Sequence, residues 1–245
     1  MKSRHVFYSI AGIAAALVLL NGTVSLYTAH ESLSEPVDLS SVSNIRVSGT
    51  ASQIRISAGA EGAMFAQLTG ERRGWGAVWK SSWFSDACPA RGSMRVEGNT
   101  LTVNIDGRGW GFDWSDCAMT VTANLPSGAA VWIDQKAART ELSGNFALVD
   151  VKSDAGDMSL DGHAQTISVS GAALRARLAF ATVSHDETIS ISGKMLDAQV
   201  AFPESTEVSY LMEAKASYVD SSLPNTPGAM PHINIRGEMA RVQID

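Results

Sequence analysis

Two short segments of this 245-residue chain read Arg-Gly-Trp-Gly-x-x-Trp. The first runs from Arg73 through Trp75 to Trp79, and the second from Arg108 through Trp110 to Trp114. Each continues through Ser-Asp toward a cysteine, Cys88 or Cys117, and Trp83 lies between the copies. Flat aromatic faces bind sugar rings, and an arginine beside them pairs with carboxylates or phosphates. Glycines on both sides of Trp75 and Trp110 leave those rings uncovered by neighbouring side chains. Arg73, Trp75, Arg108 and Trp110 are therefore the candidate surface for a glycan or protein partner, with Trp79, Trp83 and Trp114 packing beneath. The competing reading is a small aromatic core that caps an exposed sheet edge and binds nothing.

No other residues offer a catalytic arrangement. His5, His30, His163, His185 and His232 show no ligand spacing with Cys or Glu, so neither a metal nor another cofactor is expected. Asp154, Asp157 and Asp161 lie close together, but the equivalent turns Gln135–Ala138 and Gly171–Leu174 carry no carboxylate. They read as ordinary turn residues. Arg175 and Arg177 point outward with no carboxylate ladder expected to face them. Gly-x-Ser-x-Gly, a phosphate loop and a Cys–His pair are all missing from the sequence. The chain reads as a non-enzyme.

Cys88 and Cys117 fit a compartment without thiol reductants, where a disulfide persists. Closing a loop of about 30 residues contributes roughly 3–4 kcal/mol in the chain-entropy account. The start of the chain agrees with export. Lys2, Arg4 and His5 precede an apolar run from Val6 to Leu20 that continues weakly to Leu26. Positive residues ahead of such a run place the following domain across the membrane. Residues 1–29 thus read as a signal anchor or a signal peptide. The bulky Tyr27 in Tyr27-Thr28-Ala29 makes a poor cleavage site and tilts the reading to an anchor. Residues 30–42, Ser-rich with Pro36, read as a linker. The net charge of −6 is spread without basic runs, which argues against nucleic acid.

The elements that position the tryptophan segments are legible from a spacing of nine. Val149 and Val151 are followed by Met158 and Leu160, Ile167 and Val169 by Ala176 and Leu178, and Ile189 and Ile191 by Ala198 and Val200. The same step links Val131–Ile133 to Thr140–Leu142, Val208–Tyr210 to Ser217–Val219, and Ile233–Ile235 to Val242–Ile244. It recurs in front, from Ile45–Val47 to Ile54–Ile56 and from Met94–Val96 to Val103–Ile105. A two-residue step marks strands with one buried face. A repeat of about 18 residues in two halves marks stacked coils. The intervening residues, Trp132, Glu141, Asp150, Ser168, Arg177, Gln199 and Ser209 among them, should face outward. The expected fold is all-β: a parallel β-helix or β-solenoid over 43–245, with 75–117 as a Trp-rich, disulfide-stapled insertion and one apolar helix in front. A sandwich of hairpins is the competing architecture.

The segment Ala118-Met-Thr-Val-Thr-Ala-Asn-Leu-Pro-Ser-Gly128, followed by Val131-Trp-Ile133 and by Val149-Asp-Val-Lys-Ser-Asp-Ala-Gly-Asp-Met-Ser-Leu-Asp-Gly162, resembles the bacterial putative-adhesin domain family. That family's coils read roughly V-x-V-x-[ST]-x-x-Gly-Asp-[IVM]-x-L-x-Gly. The resemblance covers 45–245 loosely and 118–200 best. It implies a β-solenoid in the cell envelope with no defined enzyme activity, and it carries no catalytic residues to transfer. The expected function is adhesin-like binding or structure at the envelope. The alternatives are a sensor or partner-docking domain of an envelope stress system and a polysaccharide-cleaving β-helix enzyme.

Overall fold

The computed structural model describes residues 28–73, 88, 92–106 and 117–245, and these are all-β. The strands are β1 (Thr28–Ser32), β2 (Val37–Asp38), β3 (Asn44–Ala58), β4 (Phe65–Arg73), β5 (Gly92–Glu97), β6 (Thr100–Ile105), β7 (Cys117–Leu125), β8 (Ala129–Phe180), β9 (Thr188–Ala201), β10 (Ser209–Ser221) and β11 (His232–Ile244). At about 3.3 Å per residue, the 52 residues of β8 would make a straight ribbon far longer than any domain of this size. Instead β8 bends and lies back on itself. A Cβ on Gly162 would meet the Gly144 carbonyl oxygen, and one on Gly171 would meet the Ser153 carbonyl oxygen, each 18 positions back. Each pass over the same two faces is called a rung below.

The rungs pair in parallel and in register. β3 pairs with the first rung of β8, Ile45 with Val131 and Ile56 with Leu142. The last rung of β8 pairs with β9, Ile167 with Ile189 and Leu178 with Val200. Parallel in-register pairing puts like positions in columns, so one alternating pattern buries a continuous interior. Val169 and Ile191 share one buried column by register and Leu178 and Val200 another, and Val151 and Leu160, each 18 positions earlier, are buried as well. The expected inward and outward assignment holds along these rungs.

Two features depart from a simple succession. The last rung in sequence is not the last in space: β11 lies between β9 and β10, with Ile233 beside Ile189 on one side and Tyr210 on the other. β10 therefore forms the outer end. Its register is also two residues from the expected one. Tyr210 and Met212, not Val208 and Tyr210, align with Ile233 and Ile235. Ser209, expected outside, is buried. The loop after β10 covers part of this end. The Asn225 side chain accepts a hydrogen bond from the Tyr210 N–H and donates one to its carbonyl, both at 3.0 Å, as a neighbouring strand would.

The other end is closed by antiparallel strands. β4 pairs with β7, and β5 with β6. Met94 faces Val103 directly across a hairpin whose turn holds Gly98 at φ 60°. The nine-residue step there is a strand, a turn and a strand, not half a coil. Within the stretch expected as a linker, β1 and β2 both pair with β4, and Leu39 and Val42 are buried. That stretch belongs to the sheet because its apolar residues close the interior.

Thr140 occupies an inward position, 1% exposed, and its hydroxyl has no hydrogen-bond partner. Thr140→Val keeps the shape and removes a desolvated hydroxyl. It should raise stability by about 1 kcal/mol, read as a higher midpoint in urea with an unchanged slope.

Candidate binding surfaces

The tryptophan segments leave the sheet at its antiparallel end. Arg73 closes β4, where its backbone pairs with Thr28, and Arg72 pairs with Cys117 at the start of β7. The second segment follows Asp106 and returns to the sheet at Cys117. Arg73 thus sits at an element that borders the return of the second segment. Trp75, Arg108 and Trp110 lie outside the described residues, as do Trp79, Trp83 and Trp114.

Cys88 and Cys117 are joined, with Cα atoms 5.9 Å apart. The bond lies directly over Gly70 of β4. A Cβ there would come within 2.6 Å of the Cys88 sulfur and 2.7 Å of the Cys117 sulfur. Glycine leaves the room that the sulfurs fill. Gly70→Ala should therefore displace the bond and cost about 2–4 kcal/mol. Thermal melts under oxidising and reducing conditions check this: the wild-type chain should lose stability on reduction, and the variant should lose much less. A groove of about 460 Å³ opens beside the disulfide, bordered by Thr50, Gln53, Met119, Ala137 and Arg139. Among its described lining residues Asp106 is the one acid.

Along the flank of the rungs the outward charges alternate in sign. Register places Gln53 beside Arg139, Arg175 beside Asp197, and Asp197 beside Arg241, which neighbours Tyr218. Asp157, 18 positions before Arg175, fills the gap after Arg139. Carboxylates do face Arg175 and Arg177, contrary to expectation: Arg175 pairs with Asp197 at 3.3 Å and Arg177 with Asp157 at 3.2 Å. Asp157 is thus a strand residue in an ion pair rather than a turn residue. Arg55–Glu141 at 3.1 Å and Arg236–Glu213 at 2.9 Å repeat the arrangement. Such half-exposed pairs contribute about 0–1 kcal/mol each. Their larger effect is to fix register, since a one-rung slip would oppose like charges. Among the described residues no three acids, histidines or cysteines gather as metal ligands do.

Ser209 and His232 come close enough to suggest a nucleophile and its base, with Oγ and Nδ1 2.8 Å apart. The proton inventory argues otherwise. The Ser209 hydroxyl donates its single hydrogen to the Ala229 carbonyl at 2.8 Å, so it must accept from the Nδ1–H of His232. An imidazole protonated on the nitrogen facing the serine cannot take the serine's proton. The pair ties the 222–231 loop to β10 and β11.

Glu187 by itself carries no signal in the local sequence. Its carboxylate is wholly buried and accepts hydrogen bonds from the backbone N–H groups of Ser184 and Asp186. His163 approaches it at 3.5 Å. This is a brace for the loop between β8 and β9, and the four extra residues in the repeat there are the signal that a loop needed one.

Among the described residues no helix is long and apolar enough to cross a membrane. The expected anchor at residues 1–29 lies almost wholly outside them.

No family model and no curated protein matches the chain. Among solved structures it is similar to a putative cell adhesion protein from Clostridium sporogenes, at 11% identity and a TM-score of 0.47, over 89% of this chain and 98% of that one. It is also similar to a putative adhesin from Bacteroides fragilis, at 14% identity and a TM-score of 0.39, over 90% and 98%. A putative adhesin from Parabacteroides distasonis aligns over 89% and 97%, at 10% identity and a TM-score of 0.28.

Proposed function

We propose that this chain is an exported bacterial envelope protein whose β-solenoid domain acts by binding rather than by catalysis, in the manner of an adhesin. The observation that carries the reading is the pairing of outward charges along the rungs. From Asp157 to Arg241 each charged group on that flank sits beside one of opposite sign, which suits a rigid scaffold. The in-register parallel columns support the solenoid. The Cys88–Cys117 bond supports an oxidising compartment. The resemblance of residues 118–200 to adhesin-type coils points the same way.

In this reading the apolar run Val6–Leu20 tethers the chain to the inner membrane, and the domain lies beyond it. The tryptophan segments, which connect β4 and β6 to the disulfide-bonded cysteines in sequence, are the binding surface for an envelope glycan. The test is pull-down of the full chain by peptidoglycan sacculi, comparing wild type with the double variant Trp75→Ala, Trp110→Ala. Retention by wild type, at least about tenfold reduced in a double variant with an unchanged melting temperature, is the expected result. A double variant that binds equally well overturns the surface assignment. A large loss of stability instead makes the segments a cap.

A further inference from the structure

Among the described residues, the three most exposed large apolar side chains are Tyr218, Met239 and Met195, at 62%, 56% and 52%. They are not scattered. They border one open groove of about 830 Å³ that runs across the rungs near the outer end. One side of it is a column at the bend of each rung: Ala155, Ala173, Met195, Met239 and then Ala216. One wall is the charge ladder Asp157, Arg175, Asp197, Arg241, ending at Tyr218. Of the ladder's cations, Arg139 and Arg175 each have a carboxylate within the chain. Arg241 makes no ion pair among the described residues.

Both columns become self-complementary when reversed. The charges read minus, plus, minus, plus. Turned end for end they read plus, minus, plus, minus. A two-fold axis along the strands, set between the rungs of Arg175 and Asp197, performs that reversal. It brings Asp157 against Arg241 of a second copy, and Arg175 against Asp197. The same operation sets Ala173 against Met195 and Ala155 against Met239, so each long side chain meets the position of a small one. At the margins it sets Arg139 against Tyr218, a cation over a ring. One axis thus matches charge, size and the exposed ring together, and Arg241 gains its missing carboxylate.

We propose that this flank is a docking surface for a second copy of the same chain, packed side by side with its rungs running in the opposite order. A two-fold contact of this kind closes on itself and does not propagate. The contact spans rungs about 4.8 Å apart and covers about 400 Å² per copy, roughly half of a standard interface. Across its outer margin Asp154 opposes Glu238. The association is therefore weak and reversible, and strongest at low salt, where the exposed pairs are least screened.

The experiment uses the full-length chain in detergent micelles, with sedimentation velocity to read mass. Wild type should dimerise, and raising salt should weaken the dimer. Arg241→Asp opposes two aspartates in each dimer, and Asp157→Arg opposes two arginines. Each variant alone should lose at least about tenfold in dimer affinity. An equimolar mixture of the two should recover the dimer, because both contacts then join opposite charges. Far-UV circular dichroism establishes that each variant is folded, and recovery in the mixture excludes a folding defect independently. A wild-type chain that stays monomeric, single variants that dimerise as wild type does, or a mixture that fails to recover would each overturn the proposal. Dimers held by the N-terminal apolar segment would ignore both substitutions and so count against it.

Discussion

Val169→Asp is expected to abolish folding, while Ser168→Asp one residue away leaves it nearly intact. Val169 is 1% exposed in an inward column, stacked in register on Ile191. Among the described residues the buried interior is apolar apart from a few uncharged or acidic side chains, and no lysine or arginine is buried in it. Burying an unpaired charge costs at least several kcal/mol, even after the group protonates. A domain's whole stability is only about 5–15 kcal/mol. Ser168 sits on the outer face, half-buried beside the exposed Ser190, where a carboxylate keeps its water. Circular dichroism and urea melts of the two variants separate these outcomes. Equal behaviour of the pair would mean that the inward and outward assignment is wrong.

Gly162→Ala should cost about 3–5 kcal/mol, the next largest effect. Two independent constraints meet at this residue. Its φ of 139° lies where side chains other than glycine's are strained. A Cβ would also stand 2.2 Å from the Gly144 carbonyl oxygen of the rung below. Because that oxygen belongs to stacked backbone, a rotamer change cannot relieve the contact; the rungs must part. Gly144 stands in the same relation to the Ala58 carbonyl, at 2.0 Å, so the rungs meet closely at one bend along the stack. Gly98→Ala is the control. Its φ of 60° is also positive, but nothing lies within 4 Å of a Cβ there, so about 1 kcal/mol of backbone strain is the whole expected cost. Denaturant midpoints for the two alanine variants measure the difference directly.

The inward columns were legible in the sequence because alternation has only two phases. Once Val149, Val151, Met158 and Leu160 are inward, the polar residues between them face out. The same logic shows why the spacing of nine misled at Met94 and Val103. A strand, a tight turn and a strand can share the period of half a coil, and period alone carries no direction. What separates the cases is the turn. Glycine at 98 reverses the chain, whereas the bends around 153–156 and 171–173 redirect it without reversal.

The even cysteine count pointed to the disulfide without any structure, whereas Trp75, Arg108 and Trp110 of the candidate surface lie outside the described residues. That Gly70 makes room for the sulfurs depends on β4 and β7 lying side by side, which nothing in the local sequence states. Glu187 was invisible because a single acid in a loop looks solvated until the fold closes over it.

By itself, then, the sequence determined the strand pattern, the outward and inward faces and the 18-residue repeat of β8, since these are local and periodic. Only the tertiary structure decided the order of the rungs. β11 could stack on β9 or beyond β10 with nearly the same alternation. The choice falls to long-range fit: Ile233 and Ile235 continue the aliphatic columns of Ile189 and Ile191, whereas Tyr210, Met212 and Ser217 would interrupt them. The poorer rung is left at the end, where a half-exposed column costs least. That choice also sets Met239 beside Met195 and Arg241 beside Asp197, forming a ridge and a ladder from residues far apart in the chain.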